Sequence, residues 1–469
     1  MDTPHGVPKG DPYYPRESLR RPSVFGDGGR PAQRLSRRAL YLLLGGWAIR
    51  EALSFWTGHP YDLESFLRTG YVVAHGGSPY LGPVGAVPGV SFAYLTDRIA
   101  LASYPPFWPE LLGGVYALWE RVGGGDRFLL YFLLKQPGIV GDVLCAYLLG
   151  RVAVREGCSS RQADSLVGFW AYFPYAITIT AVWGQFDSLV VAIVLLALLT
   201  RETVARNLGY GLGVLAKWIT VVFLPLEFFR ARGWRRLLVP GTLLVAAGLG
   251  SLPFLLQGWS FPGFSNVAVY EAHGNNLGMN YVYALTFGPG SGPLERVPYL
   301  YAALGFLWAP AAMFAGWFGA RWVRAGARGS DLRAVLLVVS AVLTVRWGLY
   351  EQYFLYLFAL LVLDLALFHP GRRALFWFTT ALASAQLLVN NDLGLRFLTP
   401  VWPALLGALV HGEAAGGWAA PREYALLVLS IAMTATLVQI VWVVVRDEKA
   451  PTPWLLRLVR WDPKRTRLT

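Results

Sequence analysis

Apolar residues gather in long runs at 39–56, 105–121, 129–150, 165–182, 186–200, 207–229, 236–256, 299–323, 332–346, 350–368, 374–390, 395–411 and 424–445. Each approaches the roughly 20 residues that a helix needs to cross a hydrocarbon core. Inside lipid a segment must satisfy its own backbone groups, so the runs predict helices. The pattern predicts an all-α polytopic membrane protein of about 11–13 transmembrane helices. Two polar interruptions stand out, 57–104 and 257–298. The chain then divides into a basic arm at 1–38, expected to be mobile, a transmembrane module at 39–256 that includes the 57–104 loop, and a second loop at 257–298. A C-terminal transmembrane module at 299–445 and a basic tail at 446–469 complete it. Within the first loop, apolar residues recur at Leu63, Phe66, Leu67, Gly70, Tyr71, Val73 and Ala74. That spacing predicts a short amphipathic helix on the membrane interface.

The positions of the arginines orient the chain. Arg230, Arg232, Arg235 and Arg236, and later Arg321, Arg324, Arg328 and Arg333, mark two cytoplasmic loops, as does the basic arm. The 57–104 and 257–298 loops then fall together on the external side. Counting alternate spans puts Arg151, Arg155 and Arg161 outside, against the rule, and thirteen spans put the basic tail outside as well. The run at 395–411, with its two prolines, is the weakest candidate for a crossing.

Composition agrees with a membrane protein. The chain of 469 residues is 55% hydrophobic and 15% charged, with a mean hydropathy of +0.44; soluble domains are nearer one-quarter charged. Its 19 Trp and 23 Tyr suit rings anchored at membrane interfaces. Net charge is +13, of which the two ends supply +8 (eight Lys/Arg against four Asp/Glu in 1–38, seven against three in 446–469). This is read as positive-inside bias and attraction to anionic membrane lipids rather than nucleic-acid binding. Two cysteines, Cys145 and Cys158, give no disulfide framework.

Candidate chemistry lies in the loops and among ionisable residues inside apolar runs, where each is costly without a partner or a task. The first loop begins His59-Pro60-Tyr61-Asp62-Leu63-Glu64, with Arg68 one turn beyond Glu64. Asp62 could alternatively cap a helix, and Glu64 could pair with Arg68 at i,i+4. Of five lysines, Lys135 and Lys217 fall in apolar runs, and Asp142 lies two turns after Lys135. Trp183-Gly184-Gln185-Phe186-Asp187-Ser188 sets an amide and a carboxylate between two runs. Arg346 and Glu351-Gln352-Tyr353 stand at the end of another. The second loop carries Glu271, His273, Asn275, Asn276, Asn280 and Tyr281, a set suited to sugar hydroxyls. The six His lack ligand spacing, so no metal or other cofactor is expected; a hard divalent cation between Asp62 and Glu64 is the lesser alternative.

The order of these features resembles the GT-C superfamily of polytopic glycosyltransferases. It comprises an acid in the first external loop, then Tyr104-Pro105-Pro106, a basic residue seven before an Asp at Lys135 and Asp142, then Gly184-Gln185-Phe186-Asp187, a kinked segment through Lys217 to Leu224-Pro225, and a long later loop. The chain is similar to GPI mannosyltransferase II-like proteins of prokaryotes and, more distantly, to polyprenol-phosphate-mannose mannosyltransferases. It carries Glu351-Gln352-Tyr353 where the former tend to have His-Glu-Arg-Tyr.

The resemblance implies a GT-C-like architecture and inverting transfer of a hexose, mannose by family. The sugar would pass from a polyprenyl- or dolichyl-phosphate donor to a lipid-linked glycan, glycolipid or protein. It would occur on the outer face of a plasma membrane, or the lumenal face of the endoplasmic reticulum in a eukaryote. Asp62, with Glu64 beside it, is then the catalytic acid pair; a single base suffices because a lipid phosphate leaves without a general acid. Arg68, Lys135, Lys217 or Arg346 would hold the phosphate. Tyr104, Gln185, Asp187, Glu271, His273, Asn275, Asn276 and Glu351 are candidates for substrate contact. The competing expectation is a secondary transporter or lipid flippase, which would favour paired repeats and midplane sites.

Overall fold

A computed structural model describes residues 36–92, 99–101, 104–200, 202–273, 279–286, 303–326, 329–414 and 419–447. Among these the chain is helical, with one isolated bridge between Val84 and Ile99 in the first loop. The helices are α1 (Arg37–Ser54), α2 (Pro60–Ala74), α3 (Phe107–Arg121), α4 (Arg127–Arg155), α5 (Ser160–Ala171) and α6 (Pro174–Ile177), which runs on into a π-helical turn at Thr178–Trp183. After these come α7 (Asp187–Leu199), α8 (Thr203–Ala216), a 3₁₀ turn at Trp218–Phe223, and α9 (Leu224–Arg230). Next are α10 (Leu238–Leu256), α11 (Phe261–His273), α12 (Tyr281–Thr286), α13 (Trp308–Ala325), α14 (Ser330–Val345) and α15 (Phe354–Leu367). The last three are α16 (Arg373–Asn390), α17 (Pro403–Ala414) and α18 (Ala419–Arg446).

Four described segments are long and apolar enough to cross a membrane: Arg127–Arg155, Gly233–Leu256, Ala303–Ala325 and Ala419–Arg446. A fifth forms if Ser160–Ala171 and Pro174–Trp183, bent by 45°, count as one span. The expectation of 11–13 spans thus meets fewer continuous helices, because other apolar runs are broken into pieces. Pro174, Pro225 and Pro370 each open a new helical segment, and 3₁₀ or π turns fill the joins. Such joins need cover inside an apolar medium, since their backbone groups are not served by an α-helical ladder. They have it: α15 is buried on every side from Phe354 through Asp364, as suits a helix that is apolar all round. By contrast α10 bares Leu244, Leu255 and Leu256, each about three-quarters exposed (74%, 77% and 79%), as a lipid-facing helix would.

The helix ends sort into two poles. At the basic pole Arg206 pairs with Glu227 at 2.9 Å, Arg230 with Glu227 at 3.1 Å and with Asp331 at 3.0 Å. Arg155 donates to the carbonyl of Leu198, and Ser36 donates to Asp164 at 2.5 Å. At the same pole Asp364 takes His369 and Arg372, each at 2.8 Å, and Asp447 takes Arg333 at 3.6 Å.

These contacts bear on the two features that alternate-span counting set against the arginine rule. The ends of α4 and α5 bearing Arg151, Arg155 and Arg161 lie with the other arginine loops, and so does the end of α18. The run at 105–121 forms α3, only 15 residues long, which packs alongside α2. Glycines allow the close approach: a Cβ on Gly70 would stand 2.8 Å from the Leu112 carbonyl oxygen, and one on Gly113 2.4 Å from Val73. The run at 395–411 likewise stays at the other pole. The backbone turns just before it, at Leu393 (φ 57°) and Gly394 (φ 85°), and its Phe397 carbonyl accepts the Gly58 N–H at 2.9 Å.

The two long loops meet, as expected of segments on one side. Tyr80 packs among Phe254, Trp259 and Phe264, with ring centroids 5.2–5.8 Å apart. Ser78 Oγ accepts the Ser260 N–H at 3.0 Å, and Gln257 donates to Glu110 at 2.6 Å. The helix predicted from the Leu63–Ala74 pattern is α2, but it is largely buried against α3 rather than lying on a surface.

Candidate active site

Asp62 sits in the first turn of α2. Pro60 takes the first helical position, where its missing N–H costs nothing. His59 is the cap, its Nδ1 accepting the Asp62 backbone N–H at 3.4 Å. Asp62 is therefore not the cap, and its carboxylate serves other partners. Its Oδ2 accepts from Trp183 Nε1 at 2.5 Å and from Gln185 Nε2 at 2.9 Å. Among the described residues no donor reaches Oδ1. The side chain is 34% exposed. The His59 ring lies 5.1 Å from Trp183 and 6.2 Å from Phe397. Burial pushes its pKa below the usual 6.5, against the pull of Asp62, so the imidazole beside Asp62 is neutral at pH 7.

The corner that holds Asp62 is Trp183-Gly184-Gln185-Phe186-Asp187. The π turn ends at Gly184 with φ 103°, a left-handed conformation that suits glycine. Single π turns recur at functional sites because they re-aim the side chains that follow. The corner presses on α4 at Gly138, where a Cβ would stand 2.7 Å from the Gln185 carbonyl oxygen. Three consecutive residues then do different work. Gln185 holds Asp62, and Phe186 stacks on Trp108 with centroids 3.6 Å apart. Asp187 binds Lys217 through both oxygens, at 2.9 and 2.8 Å.

Lys217 lies in an aromatic box, 5.1 Å from the rings of Tyr104 and Phe186 and 5.0 Å from Tyr353. Arg346 stands over the same Tyr353 ring at 5.1 Å and donates to its hydroxyl at 3.3 Å. One ring thus carries two cations. Glu351, two residues earlier, is 1% exposed; its Oε1 accepts from Asn390 at 2.8 Å, and Tyr175 fixes its carbonyl at 2.8 Å. The structure therefore brings Asp62 and Gln185 together, with Asp187, Lys217, Tyr104 and Arg346 adjoining through Phe186 and Tyr353.

Glu64 and Arg68 are placed elsewhere. Both are fully buried and paired at 2.8 Å, the i,i+4 geometry the spacing allowed. Glu64 also accepts from Ser91 Oγ at 2.8 Å and Phe92 N at 2.6 Å, while Arg68 donates to the Val84 carbonyl at 2.8 Å. The pair clamps residues 84–92 onto α2. Glu64 gives both oxygens to protein donors. Among the described residues no three His, Cys, Asp or Glu gather as metal ligands.

Lys135 is likewise committed. Its ammonium donates to the carbonyls of Ser54 at 2.9 Å, Ala181 at 3.0 Å, and Thr57. These carbonyls come from the end of α1, the link into α2 and the π turn, so one buried charge joins the strands of chain that present Asp62 and Trp183. Replacing Lys135 with methionine leaves those carbonyls without their donor, each lost bond costing about 1–3 kcal/mol. A lowered thermal midpoint of the detergent-purified protein is expected; an unchanged midpoint would show that the carbonyls find other donors.

Asn275 and Asn276 lie outside the described residues, as do the side chains of Glu271 and His273 and residues 1–35 and 448–469. From the same loop Asn280 donates to the carbonyls of Leu343 at 3.1 Å and Arg346 at 2.9 Å, a latch over the end of α14. An apolar void of about 10 Å³ beside Val222, Phe223 and Tyr356 has room for little more than a water. His59, Trp183 and Asn390 were not singled out by sequence. The first two flank Asp62 and the Gly184 corner and were findable by proximity, whereas Asn390 carries no local signal. The sequence matches no family model and no curated protein.

Proposed function

We propose that the chain is a membrane-embedded inverting glycosyltransferase of GT-C type, with Asp62 as its general base. The observation that carries this reading is the state of the Asp62 carboxylate. One oxygen is pinned by Trp183 and Gln185, the other meets no donor among the described residues, and the group is one-third exposed beside a neutral imidazole. A base must be held within about 3 Å of the hydroxyl it deprotonates, and this geometry supplies an oriented oxygen for that purpose.

The acceptor oxygen forms its bond to the anomeric carbon as that carbon's bond to the carrier phosphate breaks. The acceptor proton passes to Asp62 Oδ1, and the electron pair leaves with the phosphate. Attack opposite the leaving group inverts the anomeric centre. The departing anion needs fixed positive charge, and Arg346 and Lys217, which share the Tyr353 ring, are assigned to supply it. Arg68 and Lys135 are given instead to the clamp and the carbonyl cage. The donor is a polyprenyl- or dolichyl-phosphate hexose, mannose on the resemblance, and the acceptor a lipid-linked glycan, glycolipid or protein. The Asp62 pole faces away from the arginine-rich pole and so outward or into the lumen.

Purified full-length protein, given radiolabelled polyprenyl-phosphate-mannose or -glucose and a membrane lipid extract, is expected to move label into a new product. No label from either donor with any acceptor overturns the proposal.

A further inference from the structure

Several arginines of the basic pole are balanced within the protein. Arg206 and Arg230 share Glu227, Arg230 also reaches Asp331, and Arg372 holds Asp364. The corner between α9 and α10 has no such balance. It reads Arg232-Gly233-Trp234-Arg235-Arg236-Leu237, with a 3₁₀ turn at Gly233–Leu237 in which no residue is buried. Among the described residues no carboxylate lies within ion-pair distance of Arg232, Arg235 or Arg236. Glu227, the nearest acid along the chain, is already given to Arg206 and Arg230. Arg236 donates to the Ala231 carbonyl at 3.3 Å and stands over the Phe228 ring at 5.8 Å. Arg232 and Arg235 are exposed, and among the described residues no acceptor meets their side chains. Like charges three and four residues apart repel one another, and here they also crowd the positive end of α10. An anion would remove both costs.

The same corner is apolar as well as basic. Trp234 and Leu237 are each 68% exposed. They head the Gly233–Leu256 segment, the least buried of the four able to cross a membrane, and the bare leucines of α10 continue from them. A tryptophan at the end of a lipid-facing helix suits the membrane interface. Both ends of the chain are net basic, so neither offers the missing anion. A soluble anion would match the arginines alone, and an acidic protein segment would leave the adjoining face of α10 uncovered. An anionic phospholipid matches both features: its phosphate fits guanidinium forks, and its acyl chains fit the exposed leucines.

We propose that the α9–α10 corner is a binding site for an anionic phospholipid of the leaflet on the basic side. Arg232 and Arg235 take its phosphate, Arg236 adds charge, and Trp234 and Leu237 lie along its glycerol and acyl chains. The site is at the pole away from Asp62 and does not depend on the chemistry there.

The test is lipid binding by the full-length protein in a neutral detergent at low salt, read by native mass spectrometry and by the thermal midpoint. The probes are phosphatidylglycerol, phosphatidylcholine with the same acyl chains, glycerol 3-phosphate and a glutamate-rich peptide. Phosphatidylglycerol is expected to bind, and to raise the midpoint, at a concentration about 25-fold lower than phosphatidylcholine, about fivefold for each of two arginines. Arg232→Gln with Arg235→Gln should erase that preference while leaving the midpoint without lipid near that of the parent, and Arg235→Gln alone should give up about fivefold. Arg161→Gln with Arg373→Gln removes the same charge from two exposed arginines of the same pole and should leave the preference intact. Equal losses in the two double variants would make the effect one of diffuse charge and overturn the site. Equal responses of the parent to the two lipids overturn it whether or not any variant folds. Glycerol 3-phosphate as effective as phosphatidylglycerol would assign the arginines to a soluble anion, and the peptide acting below the lipid would assign them to a protein; either result sinks the proposal.

Discussion

Asp62→Asn is expected to lower the turnover of sugar transfer by about 10²–10⁴-fold, the usual worth of a positioned general base. The side chain keeps its size, and an amide oxygen can take the place of Oδ2 in front of Trp183 and Gln185. The corner at Gly184 should therefore hold, and the thermal midpoint should stay near that of the parent. What is lost is basicity at the outward oxygen: an amide does not take a proton from an alcohol near neutrality. Acceptor affinity should change little, so the loss falls on kcat rather than KM. Transfer above a tenth of the parent rate would remove Asp62 from the catalytic role. Outward movement of a lipid or sugar sustained in the variant, with no transfer in the parent, would favour the transporter reading.

Asp142→Asn is expected to have the largest effect on stability. Asp142 and Arg50 are fully buried and joined at 2.6 and 2.7 Å. Asp142 also accepts from Trp170 at 2.7 Å and Thr180 at 3.1 Å, and Arg50 donates to the carbonyls of Gly46 at 2.9 Å and Ala171 at 2.6 Å. The network ties α1, α4, α5 and the π turn together. An asparagine preserves the outline but leaves the guanidinium buried with no counter-charge, at about 3–5 kcal/mol. Replacing both members, Arg50→Met with Asp142→Leu, should recover much of that loss, because neither charge is then taken out of water. Thermal midpoints of the single and double variants in one detergent decide the matter. A single variant within about 1 kcal/mol of the parent would mean that the pair is not buried as described.

The first loop shows how far local pattern reaches. The period of apolar residues after Pro60 predicted α2, and the spacing of Glu64 and Arg68 allowed the ion pair that forms. The same spacing could not say that this pair would clamp residues 84–92, burying Glu64 while Asp62 stays one-third exposed. Ser91 and Phe92, which decide it, lie 27 and 28 residues away. Lys135 and Asp142, two turns apart, invited a joint reading, yet one is caged by carbonyls and the other paired with Arg50, 92 residues earlier. Apolar runs predicted helices, but where a run would split into short pieces depended on burial by α15 and its neighbours.

By itself the sequence determined the helical class, the apolar character of the long segments, the two polar loops, and the residues able to carry charge through them. Hydrophobic periodicity and composition act over a turn or two of helix and need no partner to be read. Only the tertiary structure decided which charges cancel one another and which stand open. It set Asp62 under Trp183 and Gln185, gave Lys217 to Asp187 and Glu351 to Asn390, and returned the arginine-bearing ends of α4 and α18 to one pole. Ion pairing and desolvation depend on what lies within a few ångströms in space, and those neighbours come from segments that the order of residues along the chain keeps far apart.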